Sequence, residues 1–216
     1  MISVVIPALN AAATLGPCLA ALDDADEVVV VDGGSTDDTA ALAESLGARL
    51  VRSPRGRGVQ LAAGAAAADG DWLLFLHADT RLAPGWRAEA ERHLARHSGK
   101  AACFRFRLDA GERRARLVEA GVALRVRLFG LSYGDQGLLV PRRLYDEVGG
   151  YRPLPLMEDV DLVRRLGRIG SLDVDAVTSA ERWRSGGWLR RSARNLLCLA
   201  CWRCGMSAER VARLYG

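Results

Sequence analysis

Short apolar runs alternate with helical patterns over the first 76 residues, and this alternation limits the fold more than any other feature of the chain. The predicted strands are residues 2–6, 27–32, 48–52 and 72–76. The predicted helices between them are residues 11–22, 39–46 and 59–68. Strands that alternate with helices form a mainly parallel sheet covered on both faces, so the sequence predicts an α/β fold.

The second half of the chain carries similar patterns in a less regular order. The predicted helices are residues 84–97, 112–129, 142–148 and 157–166, and the predicted strands are residues 101–108, 137–140 and 171–177. One or two further helices are predicted over residues 188–213. No repeat or low-complexity linker divides the sequence, so we expect one domain over residues 1–180 followed by an arginine-rich helical tail over residues 181–216.

The charges of the chain are divided between its two ends. The 30 basic residues exceed the 26 acidic ones by four. The first 48 residues hold eight acids and no Lys or Arg, whereas residues 181–216 hold eight arginines against Glu181 and Glu209. Such asymmetry is typical of a surface for nucleic acid, acidic lipid or a phosphorylated substrate. The acidic beginning and the lack of interleaved aromatic and basic residues argue against the first, so we expect no nucleic-acid partner.

The cysteines and the N-terminus indicate a cytoplasmic protein. Five cysteines are an odd number, in a chain long enough to fold without disulfides. We expect the regularly spaced Cys198, Cys201 and Cys204 to pack as small apolar residues and not to bind a metal, because a zinc site needs a fourth ligand. No signal-peptide pattern and no membrane-spanning apolar run is present in the sequence.

Polar residues follow three predicted strands, at the edge where parallel α/β sheets bind ligands. The sequences there are Pro7-Ala8-Leu9-Asn10, Asp32-Gly33-Gly34-Ser35 and His77-Ala78-Asp79-Thr80. Asp32 suits a ribose hydroxyl or a base N–H, and Asp79 beside His77 suits a divalent cation that neutralises phosphates. Each acid also has a purely structural interpretation, as a turn residue or a helix N-cap. Their joint placement favours a binding site.

Other chemical signatures are either missing or ambiguous. The dinucleotide fingerprint G-x-G-x-x-G, the phosphate loop G-x-x-x-x-G-K-[ST] and the hydrolase elbow G-x-S-x-G do not occur. Glu158, Asp159 and Asp161 open the predicted helix 157–166, where the helix dipole stabilises acids. A carboxylate in that position can also present a general base to a substrate hydroxyl, and both interpretations remain open.

Five segments in the same order resemble the family 2 glycosyltransferases of GT-A fold. They are Val-Ile-Pro-Ala-Leu-Asn10, Val-Val-Asp-Gly-Gly-Ser-Thr-Asp37, Leu-His-Ala-Asp79, Val-Gly-Gly-Tyr151 and Glu-Asp-Val-Asp-Leu162. The resemblance spans residues 2–168. Leu-His-Ala-Asp-Thr80, Tyr-Gly-Asp-Gln-Gly137 and Met-Glu-Asp-Val-Asp161 further resemble a small bacterial subgroup associated with radical-SAM/selenodomain and arsenosugar gene neighbourhoods.

This resemblance implies a single three-layer GT-A domain that moves a sugar from a nucleoside diphosphate sugar, with a UDP-sugar as the expected donor. It further implies an acceptor hydroxyl, inversion and a divalent cation, Mg²⁺ or Mn²⁺. Residues 1–100 would form the nucleotide-binding half and residues 101–180 the acceptor half. The residues implied for the nucleotide are Pro7, Ala8, Asn10, Asp32, Gly33, Arg57 and His77. Those implied for donor and acceptor are Gly134, Asp135 and Gln136. Asp79 would bind the metal, and Asp159 with Glu158 would be catalytic.

Two alternatives to a glycosyltransferase stay open. His77 stands where the first Asp of the D-x-D motif is expected, so a catalytically idle nucleotide-sugar-binding protein is one alternative. A nucleotidyltransferase is the other, although the G-x-G-x-R loop typical of that class is missing. The acceptor is unknown, a small molecule or a lipid-linked one.

Apart from a cysteine-bound metal, the arginine-rich tail allows two interpretations. Packing against the domain or against a second copy is favoured. A peripheral helix at the inner face of a membrane is the alternative, since the tail mixes Trp and Leu with arginines.

Overall fold

The computed structural model describes residues 1–130 and 132–215, and within them the chain builds an eight-stranded mixed sheet. The strands are β1 (Ile2–Ala8), β2 (Glu27–Asp32), β3 (Arg49–Arg52), β4 (Trp72–Phe75), β5 (Thr80–Leu82), β6 (Ala102–Leu108), β7 (Leu138–Pro141) and β8 (Gly170–Thr178). Every predicted strand is confirmed. The additional strand, β5, has only three residues and is too short to produce a pattern of its own.

Helices cover both faces of this sheet. They are α1 (Ala12–Ala20), α2 (Thr39–Ser45), α3 (Arg57–Ala67), α4 (Trp86–Arg96), α5 (Arg113–Phe129), α6 (Arg142–Glu147), α7 (Glu158–Leu166), α8 (Glu181–Gly186), α9 (Trp188–Arg203) and α10 (Ala208–Tyr215), with a short 3₁₀ helix at Gly134–Gln136. The tail contains α8 in addition to the predicted helices, and Gly205, with φ of +90°, separates α9 from α10.

The strand order is β3-β2-β1-β4-β7-β6-β8-β5. Strands β1 to β4 are parallel, β7 runs antiparallel to β4, and β6 and β8 again run parallel to β4. The carboxyl ends of β1, β2, β4 and β8 therefore open at one edge, together with the start of β7. This topology brings the segment after β4, the 3₁₀ helix before β7 and the segment after β8 to the same place.

Alternate residues of the central strands supply two cores, one on each face. Val4 of β1 belongs to the core that α1 and α4 cover, whereas its neighbour Val5 belongs to the core that α3, α7 and α9 cover. This alternation is the three-layer α/β/α arrangement that the sequence predicts. Gly64 lets α3 approach the sheet closely, since a Cβ there would lie 2.3 Å from Cγ1 of Val5.

The tail packs on the second of these cores through Cys198, Leu199 and Val211. Cys198 is buried as the sequence predicts for a small apolar residue, whereas Cys204 is exposed. None of the helices in the described ranges is both long and apolar enough to cross a membrane.

Candidate active site

A cavity of about 120 Å³ opens at the carboxyl edge of the sheet and collects five of the predicted site residues. They are Arg57, His77, Asp79, Asp135 and Asp159. Their positions follow from the topology, because His77 and Asp79 come after β4, Asp135 lies in the 3₁₀ helix before β7, and Asp159 opens α7. Charged and polar groups from distant parts of the sequence thus converge on one small volume.

Asp159 is held in a fixed orientation by two backbone N–H groups. Gly134 donates to its Oδ2 and Val160 to its Oδ1, each at 2.7 Å. Gly134 also lies against His77, since a Cβ on Gly134 would be 2.5 Å from Nε2 of the imidazole. The turn into α7 carries Met157 at φ of +66°, a left-handed conformation that turns the chain into the helix just before the carboxylate. Asp159 therefore presents a fixed carboxylate at the wall of the cavity.

Glu158 lies behind the cavity and not in its wall. Its side chain is 1% exposed and accepts a hydrogen bond from Nε of Arg57, the first residue of α3. Burial raises the pKa of Glu158, while the charge of Arg57 opposes the rise. Burial alone would lower the pKa of Arg57, but the carboxylates of Glu158 and Asp159 raise it. This ion pair fixes the guanidinium of Arg57 at the cavity, and Glu158 acts on the site through it.

The imidazole of His77 is neutral at physiological pH. Burial lowers its pKa well below the usual value, and the positive charges of Arg57 and Arg182 lower it further. Asp135 shows the opposite shift. Burial raises the pKa of Asp135 to about 6, with the nearby carboxylates of Asp159 and Asp79 adding to the rise, while Arg125 and Arg57 oppose it. Burial in the same surroundings therefore favours the uncharged form of both side chains, lowering the pKa of His77 and raising that of Asp135.

The side chains at this edge suit a divalent cation whose remaining coordination positions are filled by a bound molecule. Oδ1 of Asp135 is buried without a hydrogen-bond partner, and a neutral imidazole and the carboxylate of Asp79 line the same cavity. Among residues 1–130 and 132–215, however, no three His, Cys, Asp or Glu side chains are placed to hold a metal by themselves. Mg²⁺ and Mn²⁺ sites in enzymes that act on phosphates commonly combine one or two carboxylates with phosphate oxygens, and the donors here suit that arrangement.

The residues predicted for the nucleoside form a second group at the ends of β1 and β2. The backbone oxygen of Ala8 accepts hydrogen bonds from Gly33 N at 2.9 Å and from Nε2 of Gln60 at 2.8 Å. The carboxylate of Asp32 accepts from the N–H groups of the following turn, which includes Ser35 at 3.1 Å. The group does not line the 120 Å³ cavity, but it borders the same sheet edge one strand away.

Asn10 and Pro7 complete this nucleoside group. Asn10 adopts φ of +49°, and its Oδ1 accepts the N–H of Thr36 at 2.9 Å, which joins the loops after β1 and β2. Pro7 lies within β1, paired with Val31 of β2.

Gln136 lies inside the protein, beneath the site. It is 2% exposed, and its amide donates to the backbone oxygen of Phe104 at 3.3 Å. Its Oε1 accepts from Tyr133 N at 3.4 Å and from Arg125 at 3.3 Å. Gln136 thus anchors the 3₁₀ helix that carries Gly134 and Asp135, and the structure does not bring it to the cavity.

The sequence does not identify the residues that the tail contributes to the wall of the cavity. They are Trp183, Arg191, Asn195 and Tyr215, and Arg182 lines the same wall. The Arg191 guanidinium lies 5.4 Å from the ring centroid of Trp183 and donates to Oη of Tyr215 at 3.3 Å. With eight arginines in the tail, the pattern alone cannot select the two that reach the site.

Comparison with known sequences gives a family match and partial similarity to curated proteins. Residues 3–136 match the model described as glycosyl transferase family 2. A PGL/p-HBAD biosynthesis glycosyltransferase of Mycobacterium bovis is 43% identical over 99 residues, which cover 38% of this chain and 36% of that protein. Glucosyl-3-phosphoglycerate synthase of Mycobacterium tuberculosis is 37% identical over 92 residues, which cover 36% of this chain and 28% of the synthase. The chain thus spans about a third or less of the length of these relatives.

Matches to solved structures cover between 82% and 99% of this chain. Glucosyl-3-phosphoglycerate synthase of Mycobacterium tuberculosis, in complex with Mn²⁺ and UDP-glucose, superposes with a TM-score of 0.65 at 26% identity, over 95% of this chain and 79% of that one. The same enzyme has been solved with Mg²⁺ and UDP and matches at 28% identity with a TM-score of 0.58, over 82% of this chain and 70% of that one. S. aureus TarS, at 17% identity, TM-score 0.65 and coverage of 99% and 69%, shares the fold.

Proposed function

This chain belongs to glycosyl transferase family 2, and we propose that it transfers a sugar from a uridine diphosphate sugar to a hydroxyl group of its acceptor, with inversion at the anomeric carbon. The observation that carries the proposal is the fixed carboxylate of Asp159, held by Gly134 and Val160 at the cavity that also contains Asp79 and His77. A base and a site for the leaving group meet there. The family match and this geometry argue against the nucleotidyltransferase alternative.

The donor is proposed to lie along the sheet edge from β2 to β4. Asp32, Asn10 and the backbone of Ala8 would hold the nucleoside, and the diphosphate would then reach the end of β4 beside Asp79. A uridine nucleotide is supported by the UDP-glucose and UDP bound to the matched synthase. Arg182, which is exposed beside His77, supplies a positive charge for the diphosphate.

A divalent cation is proposed at Asp79, with Asp135 and His77 as the neighbouring donors. Such a cation neutralises the charge that develops on the departing diphosphate. The buried, unpartnered Oδ1 of Asp135 supports this assignment, because a buried carboxylate oxygen without a hydrogen bond is costly unless a cation or a proton satisfies it. Mn²⁺ and Mg²⁺ in the matched synthase are the precedents.

Asp159 is proposed as the general base, with Glu158 as a positioning residue. The acceptor hydroxyl would give its proton to Asp159 while its oxygen attacks the anomeric carbon and the bond to the diphosphate breaks. A single displacement of this kind inverts the configuration. Each carboxylate oxygen of Asp159 accepts one backbone N–H, and these two hydrogen bonds fix the directions of the lone pairs that remain to accept a proton. Glu158 supports this geometry through its ion pair with Arg57.

The acceptor is proposed to carry a negative group close to the hydroxyl that reacts. Three arginines, Arg57, Arg182 and Arg191, line the cavity. Arg57 is paired with Glu158 and Arg182 is assigned to the diphosphate, which leaves Arg191, without an acidic partner among the described residues, for the acceptor. A guanidinium group is suited to bind a carboxylate or phosphate. Small anionic molecules and lipid-linked phosphates share this chemistry. The narrower subgroup suggested by the sequence stays a prediction.

The tail is proposed to pack on its own domain, where it completes the cavity, and not on a second copy. Its inner side carries Cys198, Leu199 and Val211 into the core, and Arg191 and Asn195 into the cavity wall. The alternative interpretation of the tail, a peripheral membrane contact, is limited to the outer side of α9, where Leu189, Leu196 and Leu197 are exposed. Cytoplasmic location stays part of the proposal.

Nucleotide-dependent thermal stabilisation tests donor binding. UDP, GDP, CMP and dTDP are each added with and without Mn²⁺ or Mg²⁺ to the wild type and to Asp79→Asn. A ligand at a hundred times its Kd adds about 2.7 kcal/mol to the free energy of unfolding, which is readily measured. The matched control is Asp71→Asn, since Asp71 is exposed at the opposite end of β4.

Stabilisation by UDP that needs the metal, is lost in Asp79→Asn and persists in Asp71→Asn supports the proposed donor site. Release of UDP from UDP-glucose by the wild type but not by Asp159→Asn then distinguishes an enzyme from an idle binding protein. If none of the four nucleotides stabilises the wild type with either metal, the proposed function is wrong.

A further inference from the structure

Helix α5 carries a row of leucines that faces water. Leu117, Leu124 and Leu128 are 74%, 56% and 62% exposed. Their spacings of seven and four residues place them on one face of the helix, with Gly121 between them. The opposite face packs on the domain through Ala115, which is fully buried.

Arginines border this row, and the exposed side of the helix carries no acid. Arg113, Arg114, Arg116 and Arg127 are all exposed. The single acid of α5, Glu119, is turned inward and 5% exposed. An apolar stripe bordered by long cationic side chains is the pattern of a helix that lies in a membrane interface, where arginines reach the lipid headgroups while leucines enter the acyl region.

Glu119 is already neutralised within the protein. Its carboxylate accepts hydrogen bonds from Arg107 at 2.7 Å, from Arg116 at 2.7 Å and from the N–H of Leu108 at 3.0 Å. Arg116 is therefore offset by Glu119, and the positive charge that α5 presents outward comes from Arg113, Arg114 and Arg127.

The basic character continues into the groove beside α5. A cavity of about 1000 Å³ lies between α5, β6 and α7, and within residues 1–130 and 132–215 Glu119 is the one acid that lines it. Six arginines line it, and three of them are paired with acids: Arg105 with Asp173 and Asp175, Arg107 with Glu119 and Asp175, and Arg116 with Glu119. The basic character of the groove comes from the other three, Arg127, Arg164 and Arg168. Apolar side chains such as Val122, Val126 and Ile169 form most of the remaining wall, with Gln136 and Ser171 as further polar residues.

We propose that α5 docks the protein on a bilayer surface that contains anionic lipids, with its leucine row in the interface and its arginines at the headgroups. The charges select this occupant. A second copy of the chain would bring arginines against arginines, with no acid on this face of α5 to pair with them. Nucleic acid would leave the leucines without apolar partners. The inference does not depend on the proposed transferase activity.

Vesicle co-sedimentation of the full chain tests the docking surface. The vesicles contain phosphatidylcholine alone or with about 30 mol% phosphatidylglycerol, which gives a negative surface potential. The first variant replaces Leu117, Leu124 and Leu128 by Gln, and the second replaces Arg113, Arg114 and Arg127 by Gln. Controls are Leu46→Gln, an exposed leucine at the end of α2, and a triple variant with Leu189, Leu196 and Leu197 of α9 replaced by Gln.

The wild type is expected to bind the anionic vesicles, and to bind more weakly as salt rises. Loss of three arginines should weaken binding about a hundredfold, since each contributes about fivefold at such a surface. The α5 leucine variant should lose at least about tenfold, while Leu46→Gln binds like the wild type. Because the altered side chains are exposed, thermal unfolding should remain unchanged and exclude misfolding as the cause.

Three outcomes would overturn the proposal. The first is wild-type binding that is absent, or equal for both vesicle types. The second is loss of binding in the α9 variant while the α5 leucine variant keeps it. The third is binding of duplex DNA, but not of vesicles, that depends on the α5 arginines.

Discussion

Replacing Gly134 by alanine should separate the assembly of the active site from the stability of the fold. The N–H of Gly134 donates to Asp159 at 2.7 Å, and its Cα lies against the imidazole of His77. A Cβ would lie 2.5 Å from Nε2 of His77 and 3.4 Å from Oδ2 of Asp159. The backbone of Gly134 does not adopt a positive φ, so alanine is conformationally allowed. The substitution therefore acts mainly through the imidazole, because 3.4 Å from Oδ2 of Asp159 is an ordinary van der Waals contact.

The expected magnitude follows from the displacement. The imidazole must move about 0.9 Å for the contact to lengthen from 2.5 Å to an ordinary 3.4 Å. Extra volume in a packed site costs about 1–3 kcal/mol of the free energy of unfolding, and the low end applies because the contact is the far end of a side chain. Misplacement of a catalytic group by about 1 Å costs on the order of a hundredfold in rate. We expect kcat to fall about a hundredfold while UDP binding is retained.

The assay is UDP release under single-turnover conditions, with thermal unfolding measured in parallel. Gly111→Ala is the matched control, because nothing lies within 4 Å of a Cβ at that position. In a double-mutant cycle with His77→Ala, the alanine at 134 should cost little more once the imidazole is gone. Wild-type turnover in Gly134→Ala, or equal losses in both backgrounds, would refute the view that His77 and Asp159 are placed by this glycine.

Three other substitutions test the site and the fold. Asp159→Asn should reduce turnover by about 10² to 10⁴ and leave UDP-dependent thermal stabilisation intact, because a general base is lost and the nucleoside group is untouched. Gly64→Ala should lower the free energy of unfolding, measured in urea, by about 1–3 kcal/mol or more, because the new Cβ would lie 2.3 Å from Val5. The control Gly121→Ala should not lower this free energy, because nothing lies within 4 Å of a Cβ at that position. Burial alone would raise the pKa of Glu119, but a backbone N–H and two arginines hold this pKa below the ordinary value. The ionised Glu119 therefore stabilises the fold at pH values above its unfolded-state pKa, and this stabilisation is lost as the pH falls toward its folded-state pKa. Glu119→Gln should flatten this part of the pH profile of urea unfolding, and an unchanged acid slope would contradict the assignment.

The sequence predicts the fold well wherever local patterning determines structure. The period of the apolar residues identifies each long element, and the four parallel strands follow from their alternation with helices. Strand β5 cannot be predicted in this way, because its three residues form a strand only by pairing with β8. The paired residues Thr80 and Thr178 are 98 positions apart in the sequence. The insertion of antiparallel β7 beside β4 is equally non-local, and no pattern within residues 138–141 indicates it.

The sequence predicts only part of the site, because the rest depends on non-local packing. The ends of β1, β2 and β4 are readable because they share an edge in any parallel α/β sheet. The contact of Gly134 with Asp159 depends on the position of β7, and the cavity wall formed by Arg191, Asn195 and Tyr215 depends on how the tail folds back. Residues such as Gln136 look like site residues in a motif yet lie beneath the cavity, since a motif records neighbours in sequence and not the direction of a side chain.

The histidine that departs from the D-x-D pattern is best understood from its neighbours. Asp79, Asp135 and Asp159 already place three carboxylates around one small cavity, and burial together with the other two carboxylates raises the pKa of Asp135 to about 6. An aspartate at position 77 would add a fourth negative charge where one carboxylate already resists ionisation. His77 is instead held neutral by burial and by the charges of Arg57 and Arg182, and a neutral imidazole still offers a nitrogen lone pair to a cation. The departure in sequence thus lowers the negative charge of a crowded cavity without removing a donor from it.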